Sequence, residues 1–239
     1  MNSSMRNGMI GVLALFGLTA SQATVIDFEG FAAGTIIDDD IAGVTISAIT
    51  NGFNTPDVAI IFDSDNPTGG DWDLGAPFIQ NGNSSTQFFP GNILILQERN
   101  DCNANSCAEP DDNARGGRMT FQFDTPVALN SIDFFDIENH ESGSGVNAYG
   151  IAMFATTNAS GTDSLIGMWT VPSTGGNNTW GTLDFGGLSG VTRLEIVLLG
   201  SGAVDNLDYT VVPLPAAAWL LGSALAGIAA LRRRRLGLA

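Results

Sequence analysis

Arg118-Met119-Thr120-Phe121-Gln122-Phe123-Asp124 decides the fold. Its apolar side chains stand at 119, 121 and 123, and its polar ones at 118, 120, 122 and 124. Successive side chains of an extended chain point to opposite faces, so this is a strand that buries one face and wets the other. Leu194, Ile196 and Leu198 repeat the pattern near the other end of the chain.

Working outward, short β-rich runs alternate with Gly, Asn and Asp turns, and no helical periodicity of useful length appears. The spacing predicts strands at 24–28, 43–49, 58–62, 92–97, 118–124, 127–138, 146–155, 165–171, 179–185, 191–199 and 203–210. Eleven strands in about 190 residues suit an all-β, two-sheet sandwich of jelly-roll type, whose core is made by facing Phe, Ile and Leu side chains. The segment 63–90 is rich in Gly, Pro and Asn and reads as one long loop. A loop of that length is functional, ordered by an ion or disordered.

The chain has 239 residues and a formal net charge of −16. All nine basic residues are arginine, and five of them (Arg6 and Arg232 to Arg235) lie in end segments without acids. The segment between them holds four arginines against 25 acids, a net charge of −21. Such a body does not bind nucleic acid through phosphate neutralisation. Its surface suits divalent cations instead. Cys102 and Cys107 are the only cysteines, and in an exported protein they read as one disulfide.

Arg6 is followed by an apolar run from Met9 to Ala20 and by Ser21-Gln22-Ala23. This is the pattern of a secretory signal peptide (1–23) cleaved after Ala23. The run is too short to span a bilayer comfortably, which argues against an uncleaved anchor. At the other end, Val212-Pro213-Leu214-Pro215 precedes sixteen uncharged residues, Ala216 to Leu231, and then Arg232, Arg233, Arg234 and Arg235. The stretch from Val211 to Leu231 is long enough for a transmembrane helix. The arginines after it place the C-terminus in the cytoplasm, and Trp219 lies near the opposite interface.

A short Pro-x-Pro element, an apolar helix and a terminal arginine cluster together resemble a PEP-CTERM sorting signal, with Leu214 where that family has Glu. The resemblance implies processing by an exosortase, a membrane protease of Gram-negative bacteria that make extracellular polysaccharide. The expected organisation is a signal peptide (1–23), a sandwich (24–211) and a sorting tail (212–239). The chain would pass through an inner-membrane intermediate to the cell surface or the medium, where it joins a biofilm matrix. A permanent single-pass anchor is the plainer alternative.

Three acidic constellations stand out in the body. Asp63, Asp65, Asp71 and Asp73 flank Gly69 and Gly70 in the long loop. Alternating carboxylates in an irregular loop suit calcium, which takes six to eight oxygens. They equally suit a solvated turn with Asx hydrogen bonds. The second constellation pairs Asp27-Phe28-Glu29 with Val204-Asp205-Asn206-Leu207. These end motifs resemble those of jelly-roll carbohydrate-binding modules and galactose-binding-like domains. In such domains the first and last strands are neighbours joined by a structural calcium. The resemblance implies Glu29 and Asp205 as ligands, with Asp27 a further candidate; otherwise these are exposed strand residues. The third, Glu109-Pro110-Asp111-Asp112-Asn113-Ala114-Arg115-Gly116-Gly117-Arg118, reads as a rigid turn in which Arg115 pairs with nearby acids, or as a source of further carboxylates for either cation site.

No nucleophile, phosphate-loop or zinc motif is present. The single histidine, His140, sits in a loop-like stretch without one. No catalytic residue is assigned, and the chain reads as a non-enzyme with a structural or adhesive role in extracellular polysaccharide. A calcium-dependent carbohydrate-binding module is the alternative, with Trp72 as a stacking platform between two loop acids. Trp169 and Trp180 fall in strand patterns and read as core. A glycoside hydrolase ranks third, because acids are plentiful and their separation is invisible in sequence.

Overall fold

The two alternating strands that set the expectation are the middle of the molecule. In the computed structural model, β7 (Gly117–Phe135) and β10 (Thr179–Leu198) run antiparallel side by side over most of their length. The structure describes residues 23–80, 83–138, 151–156 and 163–212, with the single positions 224 and 227; for 151–156 it describes the backbone. The expected signal peptide up to residue 22 and, apart from those positions, the expected sorting tail beyond Val212 lie outside the described residues, as does His140. Among the described residues no helix is long and apolar enough to cross a membrane.

The other strands are β1 (Ala23–Ile26), β2 (Val44–Thr50), β3 (Ala59–Asp63), β4 (Phe78–Gln80), β5 (Asn83–Phe88), β6 (Asn92–Leu96), β8 (Ile151–Thr156), β9 (Asp163–Trp169) and β11 (Ala203–Val211). The first part of β7 pairs with β2 and with the end of β10, which carries β8 and then β9. The second part pairs with β11 and with the start of β10, in the order β3-β6-β11-β7-β10-β4-β5. β7 and β10 therefore belong to both layers of a sandwich. Pairing is antiparallel except between β10 and β4.

Residues 118–124 and 127–138 were expected as two strands, and so were 179–185 and 191–199. Each pair is one bent strand. The register slips between Asp184 and Leu188, and again on either side of Val191. Gly186, Gly187 and Gly190 take positive φ values of 68°, 72° and 84° there. Such bulges bend a strand and increase its twist without ending it. Glycine and proline signalled a break in the sequence, and in the fold they mark the corner where the strand passes from one layer to the other.

Between the layers lies the main core. β2 contributes Val44, Ile46 and Ala48, β7 contributes Met119, Phe121 and Phe123, and β10 contributes Leu194, Ile196 and Leu198. Ala59, Ile61, Leu94, Leu96, Val204 and Leu207 face them. The alternate residues of β3 and β6 are not wet. Ile60, Phe62, Ile93 and Ile95 are fully buried in a second cluster with Leu74, Phe78, Cys107 and Phe135. These strands are covered on both faces, which is why they read as unbroken apolar runs.

The cover over that second face is the segment expected to be one long loop. Residues 63–90 contain a 3-10 turn (Trp72–Leu74), β4 and β5. The Cys102–Cys107 disulfide closes the neighbouring loop, with S–S 2.00 Å. That loop is held by Cys107 N–H to Gly34 O, 2.9 Å, and Ile36 N–H to Asn105 O, 2.9 Å.

Candidate functional site

β1 pairs antiparallel with β11, from Ala23 opposite Thr210 to Ile26 opposite Leu207. One step beyond, the two ends of the body meet: Asp27 and Glu29 follow β1, and Asp205 and Asn206 stand in β11. All four line one cavity of about 440 Å³, together with Asp65, Phe88, Phe89, Pro90 and Gly91. Two left-handed residues shape its walls. Phe28 (φ 55°) buries its ring while Asp27 and Glu29 on either side stay exposed. Asn206 (φ 50°) sits in a bulge between Asp205 and Asp208, where β11 slips against β7.

Hydrogen bonds fix the rim. Asn92 N–H donates to Glu29 Oε1 at 2.9 Å, and Asn92 Nδ2 donates to Phe31 O at 2.8 Å. Glu29 N–H donates to Asp27 Oδ1 at 3.3 Å. The turn after β1 is thereby tied to the turn before β6.

Asp205 is the exceptional member. It is 2% exposed, its Oδ1 has no hydrogen-bond partner, and it stands opposite Asp133 in the ladder. Asp133 is satisfied by Thr182 Oγ1 at 2.5 Å and by Asn206 Nδ2 at 3.0 Å. Burial pushes the Asp205 carboxyl up to about 9; the Asn206 backbone offsets part of this, and the charges of Asp133, Glu29 and Asp27 add to it. A buried carboxylate without a partner is costly. It takes up either a proton or a cation, and three more carboxylates line the same cavity. Four carboxylates and an amide oxygen, all hard donors, line the cavity, but no three of those carboxylates bring an oxygen each within 4.8 Å of one another.

The acids of the long segment divide between two places. Asp63 folds back on its own turn, accepting from Asp65 N–H at 3.0 Å and Asn66 Nδ2 at 2.8 Å. Asp65 is carried to the cavity. Asp71 and Asp73 lie on the other side of the turn, near Asp111 and Asp112. Asp71 Oδ2 accepts from Asp112 N–H at 2.8 Å, and Asp112 Oδ2 accepts from Gly202 N–H at 2.8 Å. Thr68 Oγ1 adds a bond to Pro110 O at 2.7 Å. This second group staples the cover to the turn before β7. Burial pushes Asp112 well above the usual carboxylate range, with the Asp71 charge adding to it, and pushes Asp71 to about 6.

Arg99 makes the ion pairs expected of Arg115, to Glu109 and, at 3.4 Å, to Asp111. Among the described residues, two acidic or thiol groups bring three donors within 4.8 Å of one another: Asp38, Asp39 and Asp40, and Asp101 with the disulfide cysteines. The Asp38–Asp40 run escaped the sequence reading, although three adjacent acids were its signal. Its members are exposed, and Asp38 Oδ1 already accepts from Asp39 N–H at 2.6 Å.

Trp72 is 73% exposed on its 3-10 turn. Asn178 Nδ2 clamps that turn, donating to Trp72 O at 2.9 Å and to Gly75 O at 2.6 Å. Trp169 packs edge-on against Phe185 at 5.7 Å, and Trp180 lies 4.8 Å from Phe88, both against the cores. Phe89 is the aromatic that sequence reasoning missed. It is 59% exposed and borders the acidic cavity.

No protein-family model matches the chain, and no curated protein matches it either. Among solved structures, one that it resembles is an X-ray structure of GH31 CBM32-2 bound to GalNAc. The two share 12% identity at a TM-score of 0.26, over 70% of this chain and 100% of that one. Likeness at that level does not carry the ligand of that protein over to this chain.

Proposed function

We propose that this chain is an exported sandwich of jelly-roll type whose first and last strands are locked by a divalent cation, calcium by its donor set, held by Asp205, Glu29, Asp27 and Asp65. It serves without catalysis as a structural or adhesive component of extracellular polysaccharide. The N-terminal segment directs export, and an exosortase-type protease recognises Pro213, Pro215 and the arginine cluster and processes the tail. The observation that carries the cation reading is the buried, unpartnered Oδ1 of Asp205 on a cavity lined by three further carboxylates.

The test is thermal melting with calcium and with chelator. Saturation at a hundredfold excess over Kd stabilises the folded state by about 2.7 kcal/mol. For a body of this size that raises the melting temperature by about 5–10 °C at neutral pH. An unchanged melting temperature after ion removal sinks the cation reading.

A second reading, a carbohydrate-binding module centred on Trp72, is favoured by the exposure of that indole on a clamped turn. It predicts saturable glycan binding that Trp72→Ala abolishes while leaving the melting temperature within about 2 °C, since the side chain supports no core.

A further inference from the structure

Phe53 is 95% exposed, more than any other large apolar side chain among the described residues. It stands on the turn after β2, and that turn is held in place. Thr50 N–H donates to Asp57 Oδ1 at 2.9 Å, Asn51 N–H to Gly116 O at 2.9 Å, and Asn51 Nδ2 to Arg115 O at 3.1 Å. An aromatic ring on a fixed turn loses little entropy when it is covered. Ile49, 59% exposed, lies opposite Arg118 in the ladder of β2 and β7, so the two share a face. Arg115 is exposed and forms no ion pair among the described residues. Asn100 Nδ2 donates to Asn54 Oδ1 at 3.2 Å, which brings the neighbouring Arg99 to the same turn. Three of the four arginines of the sandwich therefore gather at one end of β2, on a body that carries 25 acids.

The other end of β2 is the complement. Val25, Phe31, Ile41 and Tyr209 line a cavity of about 380 Å³, which Asp40 also lines. Asp38, Asp39 and Asp40 are exposed and bring an oxygen each within 4.8 Å of one another. Val44 N–H donates to Ile41 O at 3.0 Å, which fixes that wall to the start of the strand. The seven residues of β2 separate the two ends by about 20 Å, at about 3.3 Å per residue, so Phe53 does not reach the cavity of its own chain. We propose that Phe53 and Ile49 of one copy dock in this cavity of a second copy, with Arg115 and Arg118 set against the second copy's Asp38, Asp39 and Asp40. Two bodies this acidic repel each other in most orientations, and the arginine end selects the one in which cations meet acids. Ring and cavity are different patches of one surface, so each docked copy still offers an empty cavity or a free ring. The contact is heterologous, and it grows as an open chain of molecules unless the rotation closes a ring. It does not involve Asp205 and is independent of the cation reading.

The experiment is sedimentation velocity of the full chain in mild detergent, with melting followed in parallel. The wild type sediments faster as its concentration rises and does not stop at a dimer. Phe53→Ala removes the ring, and Ala42→Trp fills the cavity from an exposed position on its wall. Each weakens association at least tenfold and leaves the melting temperature within about 2 °C, since neither position supports a core. Mixed in equal amounts, the two variants form a dimer and nothing larger, because one supplies the only ring and the other the only open cavity. Arg115→Glu weakens wild-type association about tenfold, and added salt weakens it in the same direction. A wild type that stays monomeric up to its solubility limit overturns the proposal. Association that persists in both single variants is carried by the tail or another face and overturns it too. If Phe53→Ala abolishes association and mixing with Ala42→Trp fails to restore a dimer, the rings meet each other and the head-to-tail contact is wrong. Indifference to both Arg115→Glu and salt overturns the pairing of arginines with acids.

Discussion

Asp205 concentrates the electrostatics of the molecule in one side chain. An acid in water titrates near 4, and this one is held near 9 by burial and by three neighbouring acids. A folded-state value above the unfolded one means that the protonated form is preferentially stabilised. Its contribution is fully present below the unfolded value and is lost as pH rises toward 9. In chelator, therefore, stability falls between about pH 4 and 9, at up to about 1.4 kcal/mol per pH unit for this one group. Asp205→Asn removes the titration. We expect its stability in chelator to be flatter over that window and higher than wild type at pH 8, with no response to calcium. Urea denaturation at pH 5 and pH 8 checks this; a wild-type profile as flat as the variant's counts against it. At this scale the end motifs were informative, because strand adjacency at the two termini of the body is a topological feature that brings 27, 29 and 205 together. Asp65, grouped in the sequence with Asp63, Asp71 and Asp73, bonds Asp63 and also lines the cavity of Asp205. Its neighbour Asp71 is drawn away by the backbone N–H of Asp112, a contact 41 residues distant that no local pattern announces.

Among the elements, alternation was read well where one face is wet, as in β2 with its strict buried–exposed pattern. It failed where a strand bends, because glycine and proline look alike whether they end a strand or turn its corner. Concealment was greatest in residues 63–90. Phe78, Ile79 and Phe88 are too widely spaced among Asn, Ser and Gly to signal β4 and β5, which pair with each other and join the sheet through Thr179 and Trp180 of β10, far along the chain. The segment is a cover with its own buried anchors, and Leu74 is 0% exposed. Leu74→Ala should therefore destabilise by about 2–5 kcal/mol, the cost of a cavity in a packed core. The same change in a solvated loop stays within about 0.5 kcal/mol. Chemical denaturation distinguishes the two, and the smaller value would show that residues 63–90 do not seal the second core.

On the scale of the whole molecule, composition and topology point to the same division of labour. The acids all lie between the two end segments, and the arginine cluster lies at the extreme C-terminus. The sandwich closes on itself before the tail begins: β11 ends at Val211, and Val212 N–H still bonds Pro126 O at 3.2 Å. Truncation after Val212 keeps that bond and removes the Pro-x-Pro element, the apolar stretch and all four terminal arginines. The truncated protein should melt within about 2 °C of the full chain in both calcium and chelator, because every strand and the cation cavity remain. Fractionation should separate the two. In cells with an active exosortase, the full chain passes through the inner membrane and loses its tail. The truncated one never sediments with membranes and leaves the cell, or fills the periplasm, as a soluble species. A full chain that persists uncut in the inner membrane of such cells would make the tail a permanent anchor. A truncated chain that still sediments with membranes would shift attachment to the body. Both outcomes leave the sandwich and the acidic cavity of Asp205 untouched, because the tail and that cavity share no residue.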